Sequence, residues 1–261
     1  MEHTFSGKRV LVTGGSSGIG KGIAQVFASL GATVIIIGRQ ARVFQASQDI
    51  GGRVLPYQAD VSRYDEVRRV IHDVLRSGPI DILVNNAGID CVCPFLDVTD
   101  ELLDRQYRTN VLGAVYCAQL VLPAMMRKRW GRIITISSVT GPLVADPGHS
   151  IYAMTKAALI GLTKSWAVEF APYGITANVI CPGYVRTEMS EHSAGAVGED
   201  AESVLADVAA GVPLRRLGTP SEIGDIAAFF AGDGSAYITG QALVVDGGRS
   251  TVETAVMGLR P

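Results

Sequence analysis

The sequence predicts a single α/β domain built on a doubly wound, mostly parallel sheet of about seven strands, with helices on both faces. Three observations support this prediction. Short runs rich in Val and Ile, bounded by Gly, alternate with segments of helical length. The 261 residues are 48% hydrophobic and 18% charged, which is enough apolar material for one large buried core. No period of about 20–50 residues repeats, which excludes repeat architectures.

The strands are predicted at the Val- and Ile-rich runs, because strands covered on both faces of a parallel sheet are apolar almost throughout. The third run is the weakest. In chain order the runs are Arg9–Val12, Thr33–Ile37, Arg53–Tyr57, Ile80–Val84, Arg132–Ile136, Thr176–Ile180 and Ala242–Val245.

The helices are predicted between these strands, in segments of helical length and pattern. Thr219, Pro220 and Glu222 have the pattern of a capping box with Pro at the first helical position, and Ser62 is predicted to cap a helix more weakly. The predicted helices are Gly20–Leu30, Asp65–Leu75, Leu103–Arg127, Ile151–Phe170 and Ser221–Phe230.

Two late segments do not fit the alternation of strand and helix. Residues 188–211 are polar, rich in Gly and Ala, and lack a clean apolar stripe, so they are predicted to form a mobile lid over a substrate site. Residues 249–261 are expected to form a C-terminal tail that could reach a neighbouring subunit. The domain is otherwise expected to occupy the whole of residues 1–261.

Charge and composition exclude several classes of function. The 23 Lys and Arg residues against 25 Asp and Glu give a net charge of −2, so no strong field attracts nucleic acid or an anionic membrane. No apolar run approaches the roughly 18 residues of a membrane span, and the N-terminus lacks the layout of a secretory signal. A cytoplasmic protein is expected. The four cysteines lack metal-binding spacing, so no metal site is predicted.

A glycine-rich segment, Thr13–Gly20, joins the first predicted strand to the first predicted helix. Glycine allows the tight turn and the close approach of backbone N–H groups to a pyrophosphate, and the N-terminus of a helix favours the negative charge. The spacing of Gly14, Gly18 and Gly20 at this position predicts a Rossmann-like dinucleotide site.

The end of the second strand indicates which dinucleotide binds. A carboxylate about 20 residues beyond such a loop usually takes the ribose 2′-hydroxyl of NAD. Gly38 occupies that place here, and Arg39 follows it with a guanidinium that can pair with a 2′-phosphate. NADP(H) is therefore favoured over NAD(H), with Ser16, Ser17 and Arg42 as assisting groups. The alternative is that Arg39 is a solvated residue at a strand end.

Tyr152 and Lys156 have the spacing of an acid and its activating cation. Reduction of a ketone needs a hydride at carbon and a proton at oxygen, so an acid must lie where alkoxide charge develops. Lys156 lies one helical turn after Tyr152, and we expect its ammonium to lower the phenol pKa from its ordinary value of about 10. Ser138 follows a strand at the rim where such sheets bind ligands, and it can donate to the same substrate oxygen. His149 is interpreted as a solvated loop residue.

Together these motifs resemble the short-chain dehydrogenase/reductase superfamily over about Lys8–Gly248, and most closely its UcpA-type bacterial oxidoreductases. The latter similarity rests on Val139–Gly141, Ala145–Gly148 and Cys181–Thr187. The superfamily motifs occur in order as Thr13-Gly14 with Gly18-Ile19-Gly20, Asp60-Val61, Asn85-Asn86-Ala87-Gly88, Asn110, Ser138, Tyr152 with Lys156, Pro182-Gly183, Thr187 and Asp246-Gly247-Gly248.

The resemblance implies hydride exchange between a nicotinamide and a carbonyl or alcohol. It implies that Tyr152, Ser138 and Lys156 are catalytic, that Lys156 also binds the nicotinamide ribose, and that Asn110 holds a water in a proton relay. The implied cofactor contacts are the loop residues Gly14, Ser16, Ser17, Gly18, Ile19 and Gly20, then Arg39, then Asp60 and Val61 near the adenine, Asn86, Ala87 and Gly88 near the ribose, and Pro182, Gly183, Val185 and Thr187 around the nicotinamide amide.

Several functions stay open within this chemistry. An NADP(H)-dependent alcohol dehydrogenase or carbonyl reductase with a small-molecule substrate is the leading hypothesis. Reduction of 3-oxoacyl groups on acyl carrier protein ranks second, because Arg129 matches one basic docking residue of such reductases but Tyr173 replaces the other. A polyol or sugar dehydrogenase is the third. A cofactor-binding redox sensor is disfavoured, because Asn110, Ser138, Tyr152 and Lys156 are all present.

Small residues on the helix after Tyr152 indicate assembly, because they allow a second helix to approach closely. A homotetramer is expected, or a homodimer. The alternative is that these residues pack against the protein's own sheet. They are Ala153, Ala157, Ala158, Gly161 and Ala167.

Overall fold

The computed structural model describes residues 4–195 and 200–252. In these residues one parallel sheet has seven strands in the order β3-β2-β1-β4-β5-β6-β7. Each strand lies at one of the predicted runs, so the prediction of a doubly wound sheet is confirmed. The strands are β1 Arg9–Thr13, β2 Thr33–Gly38, β3 Val54–Gln58, β4 Ile82–Asn85, β5 Gly131–Ile136, β6 Ile175–Pro182 and β7 Ala242–Val245.

Helices cover both faces of the sheet. They are α1 Gly18–Ser29, α2 Arg42–Ile50, α3 Tyr64–Arg76, α4 Asp100–Tyr107, α5 Gly113–Lys128, α6 Ser150–Phe170, α7 Glu188–Gly195, α8 Ala201–Ala210 and α9 Pro220–Ala231. Leu11 contributes to the core shared with α3, α5 and α6, whereas Val10 and Val12 contribute to the core shared with α1, α2 and α9. The side chains of β1 thus alternate between two cores, as strand geometry requires.

The order of the strands places the site. From β1 the chain moves outward to β2 and β3 and then returns to β4 on the other side of β1. In open α/β sheets, ligands bind in the crevice at such a reversal, beyond the carboxyl ends of the strands. The Gly14–Gly20 turn after β1 and the Asn86–Gly88 turn after β4 are neighbours at this point.

The long helix predicted at Leu103–Arg127 is interrupted. Residues Arg108–Leu112 form a π-helical turn between α4 and α5, with Asn110 in its middle. A wider turn of this kind re-aims side chains and frequently occurs at functional sites. An 18-residue window of Asp100–Lys128 is apolar enough to cross a membrane by composition, but 56% of that window is buried inside the domain. It therefore resembles a core helix.

Some details of the prediction were wrong. Helix α2 was not predicted, because only Val43 and Ala46 are buried on it. Ser62 does not cap α3: its N–H and hydroxyl both donate to Asp60 Oδ1. The capping box of Thr219 and Glu222 is confirmed. The described residues of 188–211 include α7 and α8, and their role as a lid stays a prediction. Residues 196–199 of this segment and residues 253–261 of the predicted tail lie outside the described residues.

The small residues of α6 divide between two surroundings. Ala167 is buried in the core, and Ala153 lies against Gly141, so these two face their own domain. Ala157, Ala158 and Gly161 are exposed, and Val168 near them is 79% exposed. Only part of the predicted face is therefore available to a second subunit.

Candidate active site

A cavity of about 360 Å³ opens at the carboxyl ends of the strands, where the sheet reverses. It brings together most of the residues that the sequence singled out. These are Gly14, Ser16, Ser17, Gly18, Ile19, Gly20, Arg39, Asp60, Val61, Asn86, Ala87, Gly88, Tyr152, Lys156 and Thr187.

The phosphate loop, Gly14–Gly20, depends on glycine at two positions in particular. Gly18 has a φ of +50°, in the left-handed region that favours glycine. A Cβ on Gly20 would lie 2.2 Å from the carbonyl oxygen of Gly14, so no side chain fits there. Ser17 is the N-cap residue of α1, but its side chain makes no capping hydrogen bond. The first N–H groups of α1 therefore remain available to a phosphate on the cavity side.

The turn after β4 supports this loop. The Asn86 side chain donates to the carbonyl oxygens of Thr13 and Gly14, at 2.9 and 3.3 Å. The Thr13 hydroxyl accepts from the N–H groups of Asn86 and Ala87, both at 3.0 Å. Asn86 thus acts on the phosphate loop, in addition to the place beside a ribose that the resemblance implies for it.

The end of the cavity beside β2 is lined by arginines, and it is narrow where the strand ends. A Cβ on Gly38 would lie 3.0 Å from Ser16 Oγ and from Val43 Cβ, so the end of β2 packs closely against the loop. Arg39 is exposed beside it. Arg42, the first residue of α2, donates to Ser17 Oγ at 3.0 Å and pairs with Glu188 Oε2 at 3.0 Å. Glu188 is a cavity residue that the sequence did not single out, because it was assigned only to the lid.

Tyr152 and Lys156 lie in the first two turns of α6, which begins at Ser150 as expected. Lys156 Nζ is 5.5 Å from the centre of the Tyr152 ring and donates to the carbonyl oxygen of Ile136 at 3.0 Å. The Ser137 hydroxyl donates to the carbonyl oxygen of Lys156 at 2.7 Å, which ties the helix to β5. Strand and helix together fix the position of the amine.

Burial dominates the acid–base properties of this pair. It raises the pKa of Tyr152 to about 12. The hydrogen bond with Ser138 lowers this pKa, and the charge of Asp90 raises it further. Burial also lowers the pKa of Lys156 to about 8, against a raising by Cys181 and Asp90. The expectation that Lys156 makes the phenol more acidic is therefore wrong for the protein's own groups. Burial therefore keeps the Tyr152 hydroxyl protonated at neutral pH.

Asn110 sits behind the cavity wall and makes three hydrogen bonds. Its Oδ1 accepts from the N–H of Ile89 at 2.8 Å, and its Nδ2 donates to the carbonyl oxygen of Ile89 at 2.9 Å. Nδ2 also donates to Thr155 Oγ1 at 3.0 Å, and that hydroxyl donates to the carbonyl oxygen of Tyr152. Asn110 thus joins the segment after β4 to the turn of α6 that carries the acid.

Asp90 and His149 lie within hydrogen-bond distance of each other next to this network, and the sequence did not point to this pair. His149 Nε2 is 3.2 Å from Asp90 Oδ2, and the His149 ring lies edge-on to Tyr152 with 6.4 Å between ring centres. His149 is less solvated than expected, because its side chain is 24% exposed and its Nε2 faces Asp90. The available signals in the sequence were His149, three residues before Tyr152, and Asp90, directly after the Asn85–Ile89 turn.

Other residues of the implied site lie at or beyond its edge. Val185 is buried in the core shared with α1 and α9, and it bridges to Gly218. Pro182 ends β6 and accepts from the N–H of Val139, and Gly183 donates to Val245. Thr187 precedes α7, where it exchanges hydrogen bonds with Ser190, and its methyl group would lie 3.3 Å from a Cβ on Gly18. The start of α7 therefore abuts the phosphate loop.

The groups that line the cavity fit a dinucleotide. The loop presents glycine faces and the uncapped N-terminus of α1, whereas the other end presents Tyr152 and Lys156. No cluster of three or more His, Cys, Asp or Glu side chains that suits a metal ion occurs in residues 4–195 and 200–252.

Comparisons with known proteins agree with this geometry. A family profile described as "Enoyl-(Acyl carrier protein) reductase" matches residues 14–250. The oxidoreductase UcpA of Salmonella typhimurium is 45% identical over 260 residues, covering 98% of this chain and 99% of that protein. The 3-oxoacyl-[acyl-carrier-protein] reductase FabG of Escherichia coli K12 is 40% identical over 246 residues, covering 94% and 98%.

A solved structure gives the same result. A protein described as a short chain dehydrogenase/reductase family protein superimposes with a TM-score of 0.84 at 37% identity, over 97% of this chain and 100% of the other. The fold and a large part of the sequence are therefore shared with known oxidoreductases.

Proposed function

The chain belongs to the short-chain dehydrogenase/reductase family and is an oxidoreductase, and we propose that it is NADP(H)-dependent and interconverts a small carbonyl compound and its secondary alcohol. The observation that carries the proposal is the placement of the partly buried phenol of Tyr152 and the buried amine of Lys156 at one end of a cavity whose other end is a phosphate loop.

In this proposal, Tyr152 donates the proton to the carbonyl oxygen. Its raised pKa keeps the phenol protonated at neutral pH, as an acid must be before it acts. Ser138 donates a second hydrogen bond to the same oxygen and so stabilises developing alkoxide charge. The nicotinamide supplies or accepts the hydride when bound. Lys156 binds its ribose, and the loop residues Gly14–Gly20 bind the pyrophosphate.

The preference for NADP(H) rests on Arg39 and Arg42. Both line the cavity beyond Gly38, and Gly38 itself supplies no carboxylate at the end of β2 to receive a ribose 2′-hydroxyl. Replacement of Arg39 by Ala is expected to raise KM for NADPH much more than KM for NADH. Equal changes in both would contradict the preference. The matched control is Arg63→Ala, because Arg63 is an exposed arginine that does not line the cavity.

Turnover tests the reaction itself. NADPH oxidation is measured with a panel of ketones, diketones and aldehydes, and then with Tyr152→Phe. We expect the variant to lose about 10²–10⁴-fold in kcat while its affinity for NADPH stays within twofold. Tyr116→Phe, on α5, is the control. Tight NADPH binding without turnover of any compound would instead favour a redox sensor.

Reduction of acyl-carrier-protein substrates remains the second candidate, supported by the similarity to FabG. Its weakness is the docking surface. Arg129 donates to the carbonyl oxygen of Pro172 at 2.8 Å, so its guanidinium is partly engaged with its own domain, and Tyr173 supplies no charge. A polyol or sugar dehydrogenase is compatible with the same catalytic groups.

We further propose a cytoplasmic homotetramer, with a homodimer as the alternative. The exposed small residues Ala157, Ala158 and Gly161 leave room for a second helix on α6, since nothing lies within 4 Å of a Cβ on Gly161. Light scattering at micromolar concentration is expected to give the mass of four chains. A monomer would contradict the assembly.

A further inference from the structure

The loop that carries Asp90 is fixed on both sides of that residue. Asn110 bonds to both the N–H and the carbonyl oxygen of Ile89, and the buried side chain of Gln106 donates to the carbonyl oxygen of Cys91 at 3.3 Å. Both amides come from the segment around the π-helical turn. A surface loop needs no such attachment, so this one holds the Asp90 carboxylate in a defined place.

The His149 ring is fixed from the other direction. Its Nδ1 lies 3.1 Å from the carbonyl oxygen of Pro147, and its Nε2 lies 3.2 Å from Asp90 Oδ2. Both partners are acceptors, and only the imidazolium form has a hydrogen on each nitrogen. The Cys93 N–H donates to the carbonyl oxygen of Gly148 at 2.9 Å, which holds the two loops together. The pair is therefore arranged to hold a proton between its two members.

The second oxygen of Asp90 lacks a partner. Asp90 Oδ1 is buried, and none of the side chains or backbone groups in the described ranges donates to it. An unpaired buried carboxylate oxygen costs free energy and calls for an explanation. Lys156 is the charged group close to this part of the loop: its Nζ is 3.4 Å from where a Cβ on Gly88, two residues before Asp90, would be, and its charge acts on the Asp90 carboxyl.

We propose that Asp90 and His149 form a proton path between solvent and the catalytic pair Lys156 and Tyr152. During carbonyl reduction Tyr152 gives its proton to the substrate and is reprotonated by Lys156, and Lys156 takes a proton from Asp90. The Asp90 carboxyl receives that proton at Oδ2 from Nε2 of the His149 imidazolium and turns about its Cβ–Cγ bond to present the protonated oxygen to Lys156. His149 Nε2 then takes a replacement proton from solvent water. In alcohol oxidation each transfer runs in reverse. No bond other than those to the proton changes.

The charges around Asp90 suit this task. His149 and Lys156 stabilise the carboxylate, whereas burial and the charge of Asp146 raise its pKa, with burial as the largest cause. A carboxyl with a raised pKa accepts a proton more readily than a solvated one. The groups that face the path are thus His149, Asp146, Lys156 and Tyr152, and Lys156 in turn faces Cys181.

The inference rests on the proposed function, and chemical rescue tests it. Single-turnover rates with NADPH and the best ketone of the panel are measured for wild type, His149→Ala and Asp90→Asn. We expect at least a tenfold loss in both variants, with NADPH affinity within twofold of wild type. Added imidazole should restore His149→Ala in proportion to its concentration and leave Asp90→Asn slow, because only the former vacates a site for it.

The matched control is His72→Ala, an exposed histidine of α3 outside the cavity, which should be neither slowed nor rescued. A melting temperature for each variant reports folding. Variant rates within twofold of wild type would overturn the path, and so would a loss in His149→Ala that imidazole does not restore, which indicates a structural role. Wild type that binds NADPH but reduces no carbonyl compound would overturn the proposed function, and the path with it.

Discussion

The phosphate loop, Gly14–Gly20, and the polar cluster of Asp90, His149, Tyr152 and Lys156 adjoin the same cavity but are built from different materials. The loop uses backbone, glycine and one helix N-terminus. The cluster uses titratable side chains from the loop after β4 and from the start of α6, and burial shifts the pKa of both Tyr152 and Lys156. The loop supplies a shape that fits the cofactor, whereas the cluster supplies titratable groups that are partly or fully buried.

This difference predicts opposite responses to substitution. A side chain added to the loop meets backbone that cannot move, so both folding and nucleotide binding suffer. A charge removed from the cluster relieves a desolvation cost, so folding gains while chemistry is lost. Functional sites commonly carry this trade-off between stability and activity.

The largest effect is expected at Gly20. In Gly20→Ala the new Cβ would lie 2.2 Å from the Gly14 carbonyl oxygen and 2.4 Å from Asn86 Nδ2, so the loop must open. We expect a loss of about 1–3 kcal/mol in the free energy of unfolding, and at least a tenfold weaker binding of NADPH. Denaturant unfolding and fluorescence titration measure the two quantities.

Gly234→Ala is the control for this substitution, because nothing lies within 4 Å of a Cβ there and its φ is not in the left-handed region. It should leave NADPH binding unchanged. If Gly20→Ala bound NADPH as tightly as wild type, close packing of the loop would not be what shapes the pyrophosphate site.

The same contrast explains what the sequence could predict. The loop could be predicted from the sequence because it depends on a local pattern, a spacing of glycines between a strand and a helix. Tyr152 and Lys156 were readable for a similar reason, since one helical turn separates them. The strands were readable as apolar runs, because both faces of the sheet are covered.

Contacts between distant segments were not readable in this way. Asp90 and His149 are 59 positions apart in the sequence, and only the packing of two loops makes them a pair. The pKa of Tyr152 was predicted with the wrong sign, because sequence spacing gives the nearest cation but not the extent of burial. The π-helical turn at Asn110 interrupts what the sequence pattern predicts as one continuous helix.

An intermediate effect is expected at Lys156. Its pKa falls from 10.5 to about 8 through burial, so below about pH 8 the folded protein holds a buried ammonium. Lys156→Met removes this charge at similar volume, and at pH 7 we expect it to raise the free energy of unfolding by about 1–3 kcal/mol, partly offset by the loss of the bond to Ile136. Activity should be lost.

The pH dependence of this gain has a definite sign. Between about pH 8 and 10.5 the unfolded chain holds more protons than the folded one, so the stability of wild type rises with pH across this window. The advantage of Lys156→Met should therefore be full at pH 7 and shrink by pH 10. Lys164→Met, at an exposed position of the same helix, controls for helix propensity. A variant less stable than wild type at pH 7 would refute the desolvation cost.

The smallest effect is expected at Glu188, a carboxylate of α7 that would compete with the cofactor phosphate for Arg42. Glu188 pairs with Arg42 at 3.0 Å, and both side chains are more than half exposed. Such pairs contribute about 0.2–1 kcal/mol, so freeing Arg42 in Glu188→Gln should tighten NADPH binding by about two- to threefold. NADH, which has no 2′-phosphate, should gain less.

Glu191→Gln, on the same helix but paired with Arg186, serves as the control. Equal gains for NADPH and NADH would mean that Arg42 does not meet the 2′-phosphate, and would leave Arg39 as the group to account for the preference.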